Sequence, residues 1–124
     1  MLLAIVDLIA EKLGFIPSEN LFINAYPDSP DTIISVIDNG GFPPKLYEPT
    51  REKVVDIKIR AGNYDEGQAL GEQVFKLFHD KENYELNNKK ILHSRAYTDV
   101  SYLFSDSKER EEFSIELVFL YLNL

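Results

Sequence analysis

Near the end of the chain, residues 111–122 read Glu-Glu-Phe-Ser-Ile-Glu-Leu-Val-Phe-Leu-Tyr-Leu. Apolar and polar side chains alternate as far as Glu116, and from Leu117 every position is apolar. Alternation with period two is typical of a strand with one wet face, whereas a continuous apolar run is typical of a strand covered on both faces. The stretch therefore predicts a strand whose second half is central in a sheet or covered on both sides.

Several upstream segments carry strand signals as well. Short β-branched or alternating runs bounded by Pro, Gly or Asn are typical of strands. The pair Asn87-Asn88 tolerates positive φ and suits the two-residue turn of a hairpin. The predicted strands are residues 21–23, 32–37 and 54–60, followed by the hairpin segments 84–86 and 89–97.

Two segments have the 3.6-residue period of amphipathic helices. The first covers residues 2–13 and stops at Gly14. The second begins after Asn63, which is placed to cap it with Glu66 three residues on, and ends near residues 79–81. The apolar stripe predicted for this second helix is Leu70, Val74, Leu77 and Phe78.

The resulting order is α-β-β-β-α-β-β-β. Runs of neighbouring strands favour an α+β fold, here a largely antiparallel β-sheet with two α-helices packed on one face. A chain of 124 residues suits a single domain spanning residues 1–124.

Proline and glycine mark the loops between these elements. Residues 26–31 contain two prolines, and residues 38–44 end the strand before them with Gly40-Gly41 and Pro43-Pro44. Residues 45–49 are predicted to continue in extended form, so that residues 39–49 form a mobile arm. Residues 99–109 are predicted to be a polar loop.

The composition excludes several classes of function. The chain has no cysteine, which excludes disulfides, thiolate zinc sites and thiol catalysis. Its formal charge of −8 opposes specific nucleic-acid binding. The longest apolar run, residues 117–122, is far shorter than the roughly 20 residues of a membrane span. The first residues lack the features of a signal peptide. We therefore expect a soluble protein that binds no specific nucleic acid and no membrane.

No arrangement of residues typical of catalysis, cofactor binding or metal binding stands out. Neither His79 nor His93 has a second metal ligand two or four residues further along the chain, so a metal site is not predicted. We interpret His79 as a cation at a helix end and His93 as a surface residue of a strand. Phosphate-binding glycine motifs and nucleophile elbows are absent. A basic group is formed by Lys89, Lys90, His93 and Arg95, and alternation places Lys89, His93 and Arg95 on one face. We interpret this group as part of an exposed edge strand that lysine protects against pairing with other chains.

Aromatic residues in loops are the most informative feature for function. Such side chains are hard to bury in a small core and are enriched at protein interfaces. Together with the two proline-bearing loops, they favour an assembly protein. The predicted interface residues are Phe42, Pro43, Pro44, Leu46, Tyr47, Tyr102 and Phe104.

The order of these signals resembles a known family. Tyr26-Pro27-Asp28-Ser29-Pro30-Asp31, an apolar strand, Gly40-Gly41-Phe42-Pro43-Pro44, the alternating residues 54–60 and Tyr64 at a helix start form one connected pattern. The pattern is similar to that of phage minor capsid proteins related to siphophage tail terminators and head–tail joining proteins, over residues 2–122.

The resemblance implies a small subunit that forms a ring, usually a hexamer, at the head-proximal end of the tail. The ring stops tube polymerisation and presents a surface to the head connector. The implied partners are further copies, the tail tube protein and head connector proteins. The implied location is the head–tail junction in the virion of a phage or prophage. Before assembly the subunit is expected in the cytoplasm of the bacterial host.

Two other classes remain open from the residues themselves. A small cytosolic enzyme or ligand-binding domain would use acids such as Asp28 and Asp31 near Gly40-Gly41, although we interpret these two acids as solvated charges. A regulatory adaptor would bind one protein partner instead.

Overall fold

A computed structural model describes residues 1–123. Two helices and seven strands follow one another along this part of the chain: α1 (Leu2–Leu13), β1 (Leu21–Ile23), β2 (Ile33–Phe42), β3 (Arg51–Ala61), α2 (Tyr64–Phe78), β4 (Lys81–Leu86), β5 (Lys89–Ala96), β6 (Ser101–Ser105) and β7 (Glu111–Asn123). Neither helix has the length and apolar character needed to cross a membrane.

The strands form one sheet in the order β1-β2-β3-β7-β5-β4, and β6 pairs with β7 beyond the end of β5. Every pairing is antiparallel except that of β1 with β2. Strand β7 lies between β3 on one side and β5 and β6 on the other. The α+β fold with a largely antiparallel sheet and the central position of β7 are therefore confirmed.

The hydrophobic core lies on one face of the sheet, which we call the helix face. Alternate residues of β3 and β7, from Val55 to Ile59 and from Phe113 to Tyr121, pack there against both helices. Helix α1 contributes Ile5 and Ile9, and Gly14 ends it in the left-handed conformation at φ 74°. The prediction of two helices on one face is confirmed.

Helix α2 approaches the sheet through two glycines. A Cβ atom on Gly67 would lie 2.1 Å from the Phe113 ring, and one on Gly71 would lie 2.5 Å from the Val100 side chain. Both glycines are buried, whereas the predicted stripe residues Leu70 and Leu77 are only partly buried. Close packing through glycine therefore replaces part of the expected apolar stripe.

The opposite face of the sheet, which we call the open face, carries no helix within residues 1–123. In β3 and β7 the even-numbered residues lie on this face, among them Val54, Asp56, Val118 and Leu120. These side chains are partly buried by their neighbours in the sheet. The residue 24–31 segment lies at one end of this face, where Tyr26 contacts Glu112.

Three loop predictions need correction. Residues 101–105, expected in a polar loop, form β6 because they pair with the first residues of β7. Strand β2 does not end at Asp38 but continues through a bulge to Phe42, with Gly40 and Gly41 at positive φ. The segment expected to be extended instead turns at Leu46 and Tyr47, where the Glu48 N–H donates to the Lys45 carbonyl at 3.1 Å.

The interpretation of the basic strand is also wrong. Strand β5 is not an edge strand, because it pairs with β4 on one side and β7 on the other. A bulge between Ile91 and His93 reverses the alternation. His93 and Arg95 pair with Leu120 and Val118 on the open face. Lys89 pairs with Asn123 and lies over the Tyr121 ring on the helix face.

Candidate functional site

The connection between β2 and β3 is the most exposed apolar segment that the structure describes. The structure places residues 39–41 of the predicted arm within β2, so from here on the arm denotes residues 43–50 together with Phe42 at the end of β2. Leu46 and Tyr47 are 87% and 92% exposed, and Phe42 is 66% exposed. Pro43 and Pro44 are exposed as well. The structure thus places five of the seven predicted interface residues together in one projecting segment.

A groove lies where the arm leaves the sheet. It has a volume of about 520 Å³ and is lined by apolar Phe42 and Leu120 and by charged Lys45, Glu48 and Glu52. A second groove of about 260 Å³ continues on the open face past Val54, Val118, Arg95 and Tyr97. Both grooves are open to solvent on one side rather than enclosed, which fits a protein contact better than a small-molecule pocket.

The other two predicted interface residues lie in β6. Tyr102 packs against Tyr64 and Phe113, with ring centroids 5.4 Å apart for the two tyrosines, and its hydroxyl donates to Glu111 at 2.7 Å. That hydrogen bond raises the pKa of the Tyr102 phenol. Phe104 pairs with Glu112 and is 52% exposed. Leu103 between them, which the sequence did not single out, is 40% exposed.

A cluster around Arg110 joins the β6–β7 turn to the loop before β2. The buried guanidinium of Arg110 contacts Asp106 at 2.9 Å, Asp28 at 2.8 Å and Asp31 at 3.5 Å, and Lys108 also binds Asp28. Hydrogen bonds from Lys108 and then Arg110 lower the pKa of Asp28 to about 2. The two aspartates, interpreted as solvated charges, are anchors of this loop.

A second buried arginine holds the same loop from the sheet. The Arg60 guanidinium donates to the carbonyls of Pro30 at 2.7 Å and Asp31 at 3.2 Å, and it lies over the Tyr26 ring. The Tyr26 hydroxyl donates to Glu112 at 2.8 Å, and burial together with this bond raises the pKa of the phenol. Every buried side-chain nitrogen and oxygen of the described residues has a partner. These polar groups therefore serve to hold the loop.

The elements of the alternative enzyme hypothesis are not brought together. Asp28 and Asp31 precede the start of β2, whereas Gly40 and Gly41 lie near its other end. The glycines serve the bulge, because a Cβ on Gly41 would lie 2.0 Å from the Glu52 carbonyl oxygen. The Gly40 N–H donates to Asp38 at 2.7 Å, which completes a local turn.

The two histidines have structural contacts. His79 ends α2 and stacks on Phe75, and its Nδ1 accepts the Ala96 N–H at 3.0 Å. His79 thus lies at the end of α2, as predicted, and its ring contacts the backbone at Ala96. His93 lies near the surface, as predicted, 3.3 Å from Asp80.

The structure also brings Asp80, Glu82 and His93 within 4.8 Å of one another. The sequence spacing did not reveal this cluster, because β4–β5 pairing places Glu82 opposite His93. Asp80 is 77% exposed, and an ordinary surface contact with His93 accounts for the arrangement.

Comparison with solved structures shows that this fold recurs in virion proteins. A chain of the "Virion of native gene transfer agent (GTA) particle" aligns with a TM-score of 0.62 and 11% identity, covering 91% of this chain and 83% of that one. A second solved chain aligns with a TM-score of 0.58 and 10% identity over 98% of this chain and 95% of its own length. At such identities the likeness concerns the fold alone.

The sequence itself decides the family. Residues 8–123 match the model of the bacteriophage tail terminator protein family, so the chain belongs to that family. No curated protein matches the chain. The chain is thus a structural protein of a phage tail, and the resemblance drawn from the order of its motifs is confirmed.

Proposed function

We propose that the chain forms a hexameric ring at the head-proximal end of a phage tail, where it stops polymerisation of the tail tube and joins the tail to the head. Its partners are further copies of itself, the tail tube protein and proteins of the head connector. Membership of the tail terminator family supports this end-capping role.

The observation that carries the proposal is the exposure of the arm. Leu46 and Tyr47, at 87% and 92%, are more exposed than any other large apolar side chain that the structure describes, and Phe42 beside them is 66% exposed. Contiguous exposed apolar groups on a soluble protein mark interaction sites. Buried aromatic and aliphatic anchors dominate interface energies, and burial contributes roughly 25 cal/mol per Å² of apolar surface. The arm therefore gains stability when it docks on another subunit.

The charge of the chain supports the location. A subunit with a formal charge of −8 repels the phosphate backbone, so a ring of such subunits borders a DNA passage without retaining the DNA. The proposed site is the head–tail junction of the virion, and the subunit resides in the bacterial cytoplasm before assembly. In this role no residue is catalytic and no cofactor or metal is bound.

Deletion of residues 42–47 tests the arm directly. The deleted residues lie outside the hydrophobic core, so the variant should keep the circular dichroism spectrum of the folded subunit. It should form no rings in negative-stain micrographs, whereas Ile16→Ser, which changes an exposed apolar residue far from the arm in sequence, should leave ring formation unchanged. Rings formed by the deletion variant would contradict the proposal.

Free subunits should associate weakly, because part of the interface forms only on a tail end. Light scattering over a concentration series should show the mass rising above the 14.3 kDa of one subunit. A strictly monomeric species up to millimolar concentration that also fails to bind tail tubes would favour an adaptor or enzyme instead.

A further inference from the structure

The arm and β6 lie at opposite ends of the central strand. Phe42 pairs with Glu52, which pairs with Leu120, whereas Phe104 pairs with Glu112. Paired residues share a face of the sheet, so Phe42 and Phe104 both lie on the open face. From Glu112 to Leu120 a strand spans about 26 Å at about 3.3 Å per residue. One subunit therefore carries two exposed apolar surfaces that are too far apart to contact each other.

The two ends also differ in charge. Bases and acids nearly balance at the arm end, at five against four, whereas acids outnumber bases by nine to three at the β6 end. At or beside the arm end lie Lys45, Arg51, Lys53, Lys89 and Lys90 with Asp38, Glu48, Glu52 and Glu85. At or beside the β6 end lie Asp28, Asp31, Asp65, Glu66, Asp99, Asp106, Glu109, Glu111 and Glu112 with Arg60, Lys108 and Arg110. The acidic β6 end of one copy therefore meets no excess of like charge at the arm end of another.

Strand β6 has the properties of an unprotected sheet edge. It pairs with β7 alone, so its outer edge has no partner strand among the described residues. Its sequence, Ser-Tyr-Leu-Phe-Ser, contains neither the charge nor the proline that usually protects an edge. Such an edge is normally covered in the assembled state.

We infer that the β6 edge of one copy receives the arm of a second copy, with Leu46 and Tyr47 packing against Leu103 and Phe104. An edge-to-edge contact would bring two strongly acidic ends together, whereas the nearly balanced arm end brings no such repulsion to the β6 edge. Pro43, Pro44 and Pro49 lack N–H groups, so the arm is anchored by its side chains rather than by an added strand.

This arrangement is heterologous, since each copy uses one surface to donate and a different surface to receive. Heterologous contacts propagate from copy to copy and close into a ring when the rotation permits. The inference deepens the proposed ring and rests on it for closure, but the pairwise contact stands by itself.

Two complementary variants test the contact. The arm variant carries Leu46→Ser and Tyr47→Ser, and the edge variant carries Leu103→Ser and Phe104→Ser. These side chains are exposed, so both variants should retain the circular dichroism spectrum of the native chain. If the edge double variant does not fold, Phe104→Ala replaces it, because Phe104 has more than half of its surface in solvent.

Each variant alone should stay monomeric at concentrations where the native chain associates. An equal mixture should form a heterodimer of twice the 14.3 kDa subunit mass and nothing larger, because one intact arm meets one intact edge. Sedimentation velocity distinguishes these species.

Self-association of the edge variant, whose arms are intact, would overturn the inference, as would a mixture that remains monomeric. Native chains that pair in the predicted way but never form a ring, even on tail ends, would refute the ring and leave the contact standing. Rings formed by the edge variant would refute the contact and leave the ring standing.

Discussion

The guanidinium of Arg110 binds the carboxylate of Asp28 at 2.8 Å across 82 positions of the sequence. Arg110 immediately precedes β7, and Asp28 lies in the loop that leads into β2. The side chain of Arg110 is buried at 7% exposure, whereas that of Asp28 is 67% exposed. The contact therefore fixes a surface loop from beneath, next to the β6 edge that we assign to subunit contact.

Acid should loosen this loop. The pKa of Asp28 is lowered to about 2 by Lys108 and Arg110, against an ordinary value of about 3.9 in an unfolded chain. A carboxyl group whose pKa is lower in the folded than in the unfolded chain stabilises the fold at pH values above its unfolded pKa. Asp28 therefore loses this stabilising contribution as the pH falls from about 5 towards 2. Urea unfolding midpoints should be lower for Asp28→Asn than for the native chain at pH 6, and the difference should shrink towards pH 2. A difference that is independent of pH would contradict the assignment.

Packing at the α2 glycines gives a second expectation. Alanine improves the intrinsic propensity of a helix by about 1 kcal/mol over glycine. In Gly67→Ala the new methyl group would meet the buried Phe113 ring, and overpacking of a core typically costs about 1–3 kcal/mol. Gly71→Ala is the matched control, because it meets Val100 in a short connection that can shift. Denaturant unfolding should show the larger loss for Gly67→Ala, and a more stable Gly67→Ala variant would contradict this packing.

Features governed by neighbouring residues could be predicted from the sequence. The left-handed stop at Gly14, the Asn63 side chain that accepts the Glu66 N–H at 2.8 Å and the turn at Asn87-Asn88 are local effects of backbone preference and capping. The long apolar alternation predicted β7 in the same way. The prolines and the aromatic residues between predicted strands identified the arm in the sequence. Nothing in the sequence predicted its turn at Leu46 and Tyr47.

Features that depend on distant residues were missed. Strand β6 forms because β7 offers it a partner, and its five residues have no strand period that distinguishes them from a loop. The bulge at His93 moves Lys89 to the other face, which strict alternation does not anticipate. The sequence indicates ordinary solvated charges at Asp28 and Asp31, because Arg110, which contacts both, lies far along the chain.

Truncation of the arm should affect assembly without affecting stability. Tyr47→Ala and Phe42→Ala remove exposed side chains, and surface substitutions usually change stability by no more than about 0.5 kcal/mol. Because a few aromatic anchors carry most of the interface energy, we expect tails of uncontrolled length or unjoined heads. Complementation titres and tail lengths from electron micrographs measure the effect, with Ile16→Ser as the control. Normal tails from a folded Tyr47→Ala variant would argue against the arm as an anchor.

Removal of His93 should leave particle production close to normal. Its contact with the exposed Asp80 lies at the surface, where even a fully charged pair contributes only about 0–1 kcal/mol. A catalytic group that acts with others would instead lose orders of magnitude on substitution. Complementation titres of His93→Ala and Asp80→Asn should both match the native titre, and Tyr47→Ala should fall well below it in the same assay. If His93→Ala folds and forms rings but loses its titre, the protein has a chemical activity beyond assembly, and the purely structural role is wrong.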